Sequence, residues 1–212
     1  QQLDLYKSNL KSSSDEYLAA LKTIPLGAHS TFQSFDPYPI SIKSAKGAWM
    51  VDVDGRKMLD LSMGFGSMLV GHLNPLVMAE LKSTLDIGTL YTAPSPDSRD
   101  AAERLCRRFG IDQIRFTNSG TESTMYAVRT ARAYTGKEGV VKVEGGYHGS
   151  GDALMVSTKP SLDKAGPEDA PNSVIGNASV PGLSYVVPYN NIEALERVFE
   201  KHSATIACFI VE

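Results

Sequence analysis

The sequence is poor in the features that mark secreted and membrane-spanning proteins. It has only two cysteines, Cys106 and Cys208, which lie far apart. Secreted proteins that depend on disulfides are richer in cysteine, so we interpret both thiols as reduced residues of a cytoplasmic protein. No apolar run approaches the length that spans a bilayer, and the first residues have neither the basic nor the apolar region of a signal peptide. We therefore expect no membrane as a partner.

An excess of positive charge and a cluster of metal ligands are also lacking. The formal net charge is −3 at pH 7, which gives no electrostatic reason to expect nucleic acid as a partner. The four histidines are scattered without metal-ligand spacing, so we predict no metal site. Hydrophobic residues make up 42% and charged residues 21% of the chain, which is the composition of a folded globular protein.

What the sequence does contain is an alternation of apolar, β-rich runs with amphipathic segments. The amphipathic segments predict helices over 14–24, 76–85, 97–109, 119–134 and 190–200. The β-rich runs predict strands near 40–43 and over 114–118, 139–144, 184–187 and 205–211. Strands that alternate with helices are typical of a largely parallel sheet, so the pattern predicts an α/β fold. Residues 157–182, rich in Pro, Ser, Gly, Asp and Asn, predict a long loop.

A β-hairpin is predicted where Asp54 and Gly55 separate the apolar runs 48–53 and 56–61. The Asp-Gly pair favours a two-residue turn in which both residues have a positive φ. The glycine-rich segment 62–71 that follows lacks the G-x-G-x-x-G spacing of a dinucleotide-binding loop. We interpret this segment as a flexible lining of a pocket.

The stretch from Ile114 to Gly149 predicts a βαβ unit, two short strands with a helix between them. Ser119 and Gly120 lie where the first strand turns into the helix. A helix start presents free backbone N–H groups and the positive end of a dipole, which favours a bound phosphate. Ser119-x-x-Glu122 is also the spacing of a capping box, which needs no ligand, so the pattern leaves both interpretations open.

The second strand of this unit leads into a loop that carries Tyr147 and His148. In open α/β sheets, ligands bind at the loops that follow the carboxyl ends of the strands. An anion site and an aromatic side chain on neighbouring loops together predict a flat, phosphorylated cofactor.

The segment Phe116–Arg132, FTNSGTESTMYAVRTAR, resembles the signature of class III pyridoxal-phosphate aminotransferases, in particular the glutamate-1-semialdehyde aminomutase branch. Other short segments resemble the same family in the same order along the chain. They are VDVDG at 51–55, GHLNP at 71–75, YHG at 147–149, PYN at 188–190 and IVE at 210–212. The ordered set extends from about Pro25 to the end of the chain and is specific to this family.

The resemblance implies the large domain of fold type I pyridoxal-phosphate-dependent transferases, an α/β fold with a mostly parallel sheet and helices on both faces. Residues 1–70 would form a preceding α+β segment, with a helix and a β-hairpin, that helps to build the dimer and the substrate pocket. Residues 71–212 would form the N-terminal part of the cofactor-binding domain, whose C-terminal part we expect to be absent from this chain. A homodimer is the implied assembly.

The resemblance also implies which residues hold pyridoxal 5′-phosphate. The cofactor-binding residues that it implies are Ser119, Gly120, Thr121, Tyr147, His148 and Glu212. The first three would surround the phosphate, Tyr147 would stack on the pyridine ring with His148 beside it, and Glu212 would begin a segment that frames the cofactor. In this family the Schiff-base lysine lies after the position of Glu212, so no catalytic residue is predicted within this chain.

Two further positions bear on the substrate that the resemblance implies. Gln33 stands where the aminomutases have an arginine for the substrate carboxylate, and a neutral amide does not form the bidentate ion pair of a guanidinium. Phe65 stands where the aminomutases have a larger aromatic residue, and we expect both side chains to contact the substrate. We therefore predict an amine, an amino ketone or a β-amino acid as substrate instead of glutamate-1-semialdehyde.

The predicted activity is the transfer of an amino group between an amino compound and a keto acid or aldehyde, with pyridoxal phosphate as cofactor. An aminomutase or racemase that uses the same cofactor is the second hypothesis, and it would need no external keto acid. The third hypothesis is a catalytically inactive relative that binds a phosphate-bearing cofactor or nucleotide at the Ser119–Gly120 helix start.

Overall fold

The computed structural model describes residues 1–158 and 183–212. The chain forms two compact units, Gln1–Ser95 and Pro96–Glu212. The predicted domain boundary between residues 70 and 71 stays a prediction. No helix among the described residues is long and apolar enough to cross a membrane.

The first unit combines α-helices with a three-stranded antiparallel sheet. Its α-helices are α1 (Gln2–Asn9), α2 (Lys11–Ala20) and α3 (Pro75–Leu85). Its strands, which lie in the order β1-β2-β3, are β1 (Ile42–Lys46), β2 (Trp49–Asp52) and β3 (Lys57–Leu59). Helix α3 begins at the predicted start signal, because the Asn74 side chain accepts the N–H groups of Leu76 and Val77 ahead of the first-turn proline.

The predicted hairpin is confirmed, but its turn is longer than the sequence predicts. Strands β2 and β3 pair antiparallel, and the Asp52 N–H donates to the Arg56 carbonyl at the end of the pair. Three residues therefore form the connection, and the Gly55 N–H donates to the Asp52 carbonyl across it. Of the turn residues, only Gly55 has a positive φ (85°), as in a type I turn followed by a left-handed residue. The expectation of two left-handed residues was wrong for Asp54.

Helix α2 begins earlier than the sequence predicts. The prediction is a helix over 14–24, whereas the observed helix spans Lys11–Ala20 and follows α1, which the sequence pattern does not predict. The Asp54 carboxylate accepts the backbone N–H groups of Ser12 (2.7 Å) and Ser13 (3.0 Å), which have no partner within the helix. A contact from the hairpin turn therefore stabilises the start of this helix.

The second unit contains a parallel sheet and the helices that pack on it. Its α-helices are α4 (Pro96–Phe109), α5 (Gly120–Thr135) and α6 (Ile192–His202). Its strands are β4 (Gly139–Val143), β5 (Ser184–Val187) and β6 (Ile206–Ile210), and they lie in the order β5-β4-β6 with both pairs parallel. Strand β4 is thus the central strand, and the predicted parallel sheet is confirmed.

Helices cover both faces of this sheet. Successive residues of β4 point to opposite faces, so neighbouring side chains pack against different helices. On one face, Val141 belongs to a buried cluster that includes Ala194 and Val198 of helix α6. On the other face, Val140 packs with Val128 of helix α5 and with further apolar side chains. The prediction of a mostly parallel sheet with helices on both faces is therefore confirmed.

Two predicted elements differ from the structure or lie outside it. The predicted strand over 114–118 was wrong, since these residues have no regular secondary structure. A strand requires a hydrogen-bonded neighbour, and no strand of the described residues pairs with this segment. Of the long loop predicted over 157–182, residues 159–182 lie outside the described residues.

Candidate functional site

The start of helix α5 carries the first half of the candidate site. Ser119 has an extended backbone (φ −152°), and its hydroxyl accepts the Glu122 N–H at 3.2 Å. The Glu122 carboxylate in turn accepts the Asn118 N–H at 2.6 Å. These reciprocal bonds resemble a capping box, although the carboxylate reaches the residue before the cap. The capping interpretation of Ser119-x-x-Glu122 is therefore correct as far as it goes.

This capping does not use all the donors of the first turn. Among the described residues, no acceptor bonds the backbone N–H groups of Gly120 and Thr121. Ser119 and Gly120 are exposed, so no side chain of the described chain fills the space in front of them. The helix start therefore presents two free N–H groups and the positive end of its dipole, which is the arrangement that binds phosphate.

The loop after β4, residues 144–157, contacts this helix start directly. The Thr124 hydroxyl donates to the His148 carbonyl at 2.7 Å, and the Ser150 N–H donates to the Thr121 hydroxyl at 3.2 Å. Gly149, with a φ of 87°, lies so near that an added Cβ would stand 2.6 Å from Oγ1 of Thr121. The structure thus brings together the two loops that the sequence analysis singles out.

Tyr147 and His148 differ in their surroundings although they are neighbours in the chain. The Tyr147 side chain is 43% exposed, whereas His148 is 7% exposed. Nε2 of His148 is buried and has no hydrogen-bond partner among the described residues. Burial lowers the pKa of His148, and the nearby positive charge of Lys142 lowers this pKa further. The imidazole is therefore neutral at pH 7.

Glu212 lies at the same edge of the sheet as this loop. It follows β6, which runs parallel to β4, and the carboxyl ends of parallel strands share one edge. Its negative charge acts on His148 and raises the pKa of the imidazole, against the larger effect of burial. Of the six predicted cofactor-binding residues, all belong to the second unit.

Gln33 and Phe65 belong to the first unit, where Phe65 contacts Phe32, the residue that precedes Gln33. Gln33 is exposed at the end of a short 3-10 helix, Thr31–Gln33. Phe65 is 77% exposed, and its ring stands edge-on to that of Phe32, with centroids 6.4 Å apart. Exposed aromatic side chains beside an amide would suit a ligand with both an apolar and a polar part.

Sequence reasoning missed two residues that organise the site. One is Thr124, which joins helix α5 to the His148 backbone. The other is Lys142, which is fully buried within β4 and whose ammonium donates to backbone carbonyls of the following loop. The one signal for Lys142 is its position inside an otherwise apolar strand, because central parallel strands are buried on both faces.

The arrangement fits a phosphorylated aromatic ring better than a metal ion. Free N–H donors suit a phosphate, a half-exposed phenol ring suits a flat partner, and a buried imidazole nitrogen lacks a bonding partner. Within 1–158 and 183–212, no group of three or more His, Cys, Asp or Glu side chains is placed to hold a metal.

Comparison with known proteins identifies the family. The family model for class-III aminotransferases matches residues 32–212. A glutamate-1-semialdehyde 2,1-aminomutase from Methanocorpusculum labreanum is 38% identical over 201 residues, which cover 94% of this chain and 48% of that protein. The chain therefore spans about half the length of the curated relatives that it matches.

Solved structures agree with this family. A structure described as a transaminase with PLP bound matches with a TM-score of 0.87 at 32% identity and covers 96% of this chain and 47% of that chain. An omega-transaminase from Sphaerobacter thermophilus matches with a TM-score of 0.86 at 32% identity, over 94% of this chain and 47% of that chain. The chain belongs to the class-III aminotransferases.

Proposed function

We propose that the complete protein transfers an amino group between a small amino compound and a keto acid or aldehyde, with pyridoxal phosphate as its cofactor. The observation that carries the proposal is the contact between the loop after β4 and the start of helix α5. It brings an exposed phenol ring and free N–H donors onto neighbouring segments, as a phosphorylated ring requires. The match to class-III aminotransferases supports the same cofactor.

The residues would divide the work of binding as follows. The N–H groups of Gly120 and Thr121 would donate to the phosphate, which the helix dipole also favours. Tyr147, which is 43% exposed, would lie against the ring, and His148 would lie beside it. When bound, pyridoxal phosphate supplies an electron sink for the carbon that carries the amino group.

We assign the lysine that binds the cofactor covalently to the part of the relatives that this chain does not span. The family resemblance locates that lysine after the position of Glu212. Lys142 is fully buried and donates to backbone carbonyls, so its amine is not accessible to a cofactor. Borohydride reduction of the complete protein, followed by its intact mass and peptide mapping, would locate the modified lysine.

A titration of the complete protein with pyridoxal phosphate, NAD and ATP tests the cofactor. We expect pyridoxal phosphate to bind and to give a visible absorption band, and we expect Tyr147→Leu to weaken this binding about ten-fold, or ~1.4 kcal/mol. Tyr134→Leu is the matched control, because Tyr134 is 91% exposed near the far end of helix α5. Preference for NAD or ATP, or equal affinity of both variants, would contradict the proposal.

An aminomutase is the second candidate activity. It is supported by the 38%-identical relative, which is a glutamate-1-semialdehyde 2,1-aminomutase. An aminomutase differs from an aminotransferase because it needs no external keto acid, and the same is true of a racemase. Turnover of a single substrate in the absence of any acceptor would establish an intramolecular reaction and would contradict simple amino transfer.

The substrate we propose is an amine, an amino ketone or a β-amino acid. Exposed aromatic rings at Phe32 and Phe65 and the uncharged amide of Gln33 support this class. We expect Gln33→Arg to increase kcat/KM for substrates whose second polar group is a carboxylate, by about ten-fold or more, because guanidinium pairs with carboxylate through two hydrogen bonds. Gln33→Glu, which carries the opposite charge, is the control and should not do so.

We also propose that the complete protein is a cytoplasmic homodimer. Large apolar side chains of the first unit are exposed, and a second copy would cover them. The most exposed are Leu61, Leu69, Leu76 and Leu90, each with more than 80% of its surface open. Both cysteines are free thiols, which supports a reducing compartment. Cell fractionation tests the location.

A further inference from the structure

Lys142 is an unusual residue to find at the centre of a parallel sheet. It lies within β4 among three valines, and its side chain is 0% exposed. A buried ammonium is costly unless its three N–H donors are bonded. Nζ of Lys142 donates to the carbonyls of Val156 (2.7 Å), Gly146 (2.8 Å) and Leu154 (3.4 Å). Each donor therefore has an acceptor.

The three acceptors belong to the two ends of one loop. Gly146 immediately precedes Tyr147, whereas Leu154 and Val156 lie near the end of the segment, where Leu154 packs with Val140 of β4. The Gly145 N–H also donates to the Ser157 carbonyl at 3.0 Å, and this bond likewise joins the beginning of the segment to its end. The Lys142 side chain therefore joins the beginning and the end of the segment that carries Tyr147 and His148.

The far side of this segment is held by helix α5. The Thr124 hydroxyl and the Thr121 hydroxyl bond the backbone of His148 and Ser150. The Tyr147–His148 backbone is thus fixed between two supports, the helix on one side and the Lys142 ammonium on the other. A binding residue on a loop keeps a defined position when a second set of residues holds its backbone in this way.

Glu144 is the charged group that acts on Lys142, and Lys142 in turn acts on the neutral imidazole of His148. Burial lowers the pKa of Lys142 to about 8, and the negative charge of Glu144 acts in the opposite direction. The ammonium form therefore predominates at neutral pH and provides all three donors. Burial first, and the Lys142 charge second, lower the pKa of His148, while the negative charge of Glu212 raises it.

We propose that Lys142 is a positioning residue for the cofactor, which fixes the Gly146–Gly149 backbone so that Tyr147 and His148 are in place before the cofactor binds. It contacts neither substrate nor cofactor, and it acts through the loop carbonyls. The inference rests on the proposed function, because the proposed function supplies the ligand that Tyr147 and His148 would contact.

The matched pair of variants is Lys142→Met and Lys137→Met in the complete protein. Both remove a lysine that donates to a backbone carbonyl, since Nζ of Lys137 donates to the Ser203 carbonyl at 2.6 Å. Only Lys142 is joined to the loop. We expect Lys142→Met to lower the affinity for pyridoxal phosphate about ten-fold and to remain cooperatively folded, whereas Lys137→Met keeps the wild-type affinity. Equal affinity of Lys142→Met and wild type would overturn the proposal.

Hydrogen exchange without cofactor tests the loop itself, whether or not the protein binds pyridoxal phosphate. The N–H groups of Gly145, Gly146 and Ser150 have hydrogen-bond acceptors, so we expect them to exchange slowly in the wild type before cofactor is added. In Lys142→Met they should exchange faster, with β4 still protected. Should Lys142→Met fail to fold, the wild-type result decides alone. Rapid exchange of these three amides that slows only when pyridoxal phosphate is added would overturn the proposal, because the loop would then be ordered by the cofactor.

A spectroscopic measurement separates positioning from general stability. At saturating pyridoxal phosphate, the visible circular dichroism of the bound cofactor reports its surroundings. We expect this signal to change in Lys142→Met and not in Lys137→Met; an unchanged signal in both variants would show that Lys142 does not position the site. If the wild type binds no pyridoxal phosphate, the proposed function fails while the exchange experiment still tests the Lys142 contact.

Discussion

Gly149 is the residue at which the loop after β4 touches the first turn of helix α5. Its φ of 87° suits glycine, and a Cβ at this position would lie 2.6 Å from Oγ1 and 2.7 Å from Cα of Thr121. We expect Gly149→Ala to lower the free energy of unfolding by about 2 to 4 kcal/mol, from the left-handed backbone and the crowding together. Gly149→Ala should also weaken the binding of pyridoxal phosphate, because the loop must move away from the helix.

Gly136→Ala is the control for that prediction. Gly136 also has a positive φ, 68°, but a Cβ there would meet no atom within 4 Å. Only the backbone cost remains, about 1 kcal/mol, and cofactor affinity should stay unchanged. Denaturant unfolding and cofactor titration of the two variants make the comparison. Equal losses of stability and affinity in both would contradict the close approach at Gly149.

The titration of Lys142 gives a second prediction at this scale. In the unfolded chain its pKa returns from about 8 to the ordinary 10.5. Between these values the unfolded chain holds a proton that the folded protein has released, so the free energy of unfolding rises with pH. Relative to Lys142→Met, the wild type should gain up to about 3 kcal/mol from pH 8 to 10.5, at ~1.4 kcal/mol per pKa unit.

Chemical denaturation of both proteins across this pH range measures the gain. Lys137→Met keeps Lys142 and should follow the wild type. A difference between Lys142→Met and wild type that stays constant over the window would mean that Lys142 titrates normally, and hence that it is not buried as a charge.

Some of these residues could be predicted from the sequence and others could not. Ser119 and Glu122 belong to a local pattern, four residues long. The Ser119 hydroxyl caps the helix as the pattern predicts, whereas the Glu122 carboxylate bonds the N–H of Asn118. The role of Lys142 has no such pattern, because its acceptors are backbone carbonyls and any residue supplies those. Proximity of Gly149 to Thr121 depends on how the loop folds back, which a short motif does not determine.

Helix α2 shows how a neighbouring element sets the bounds of a helix. Its first turn is bonded to the Asp54 carboxylate, which lies about forty residues away in the hairpin turn. We expect Asp54→Ala to loosen residues 11–14, seen as faster hydrogen exchange there. Asp15→Ala, a loss of an exposed carboxylate within the same helix, should have no such effect. If the two variants exchange alike, the capping contact does not determine the helix start.

The strands were predictable where both the pattern and the partner were available. β4, β5 and β6 are apolar runs that find one another in the second unit, and their parallel pairing follows the alternation of strands and helices. The run 114–118 has a similar composition, yet it forms no strand within the described residues. Composition indicates the tendency of a segment to pair, but pairing needs a neighbour.

At the scale of the whole molecule, large apolar side chains of the first unit are exposed. Leu69 is 92% exposed and Leu90 is 91% exposed in the first unit. Apolar patches of this kind mark surfaces that another protein surface covers. We expect the complete protein to be a dimer by light scattering.

Leu69→Lys together with Leu90→Lys should shift that dimer towards monomer. Leu3→Lys with Leu18→Lys is the control, because both leucines are only about half exposed and lie on helices α1 and α2. A wild-type protein that is monomeric at micromolar concentration, or a dimer that both double variants leave intact, would contradict a second copy as the covering surface.

The alternation of side chains along β4 determines which of them pack in the interior of the second unit and which reach the candidate site. Val140 and Lys142 point to the helix α5 face, and Val141 points to the helix α6 face. A shift of this strand by one residue would exchange the two faces and withdraw the ammonium from the carbonyls of Gly146, Leu154 and Val156. Correct alignment of the sheet is thus a precondition for anchoring the ligand. A variant that loses this alignment would lose cofactor affinity even though every residue in contact with the cofactor remained unchanged.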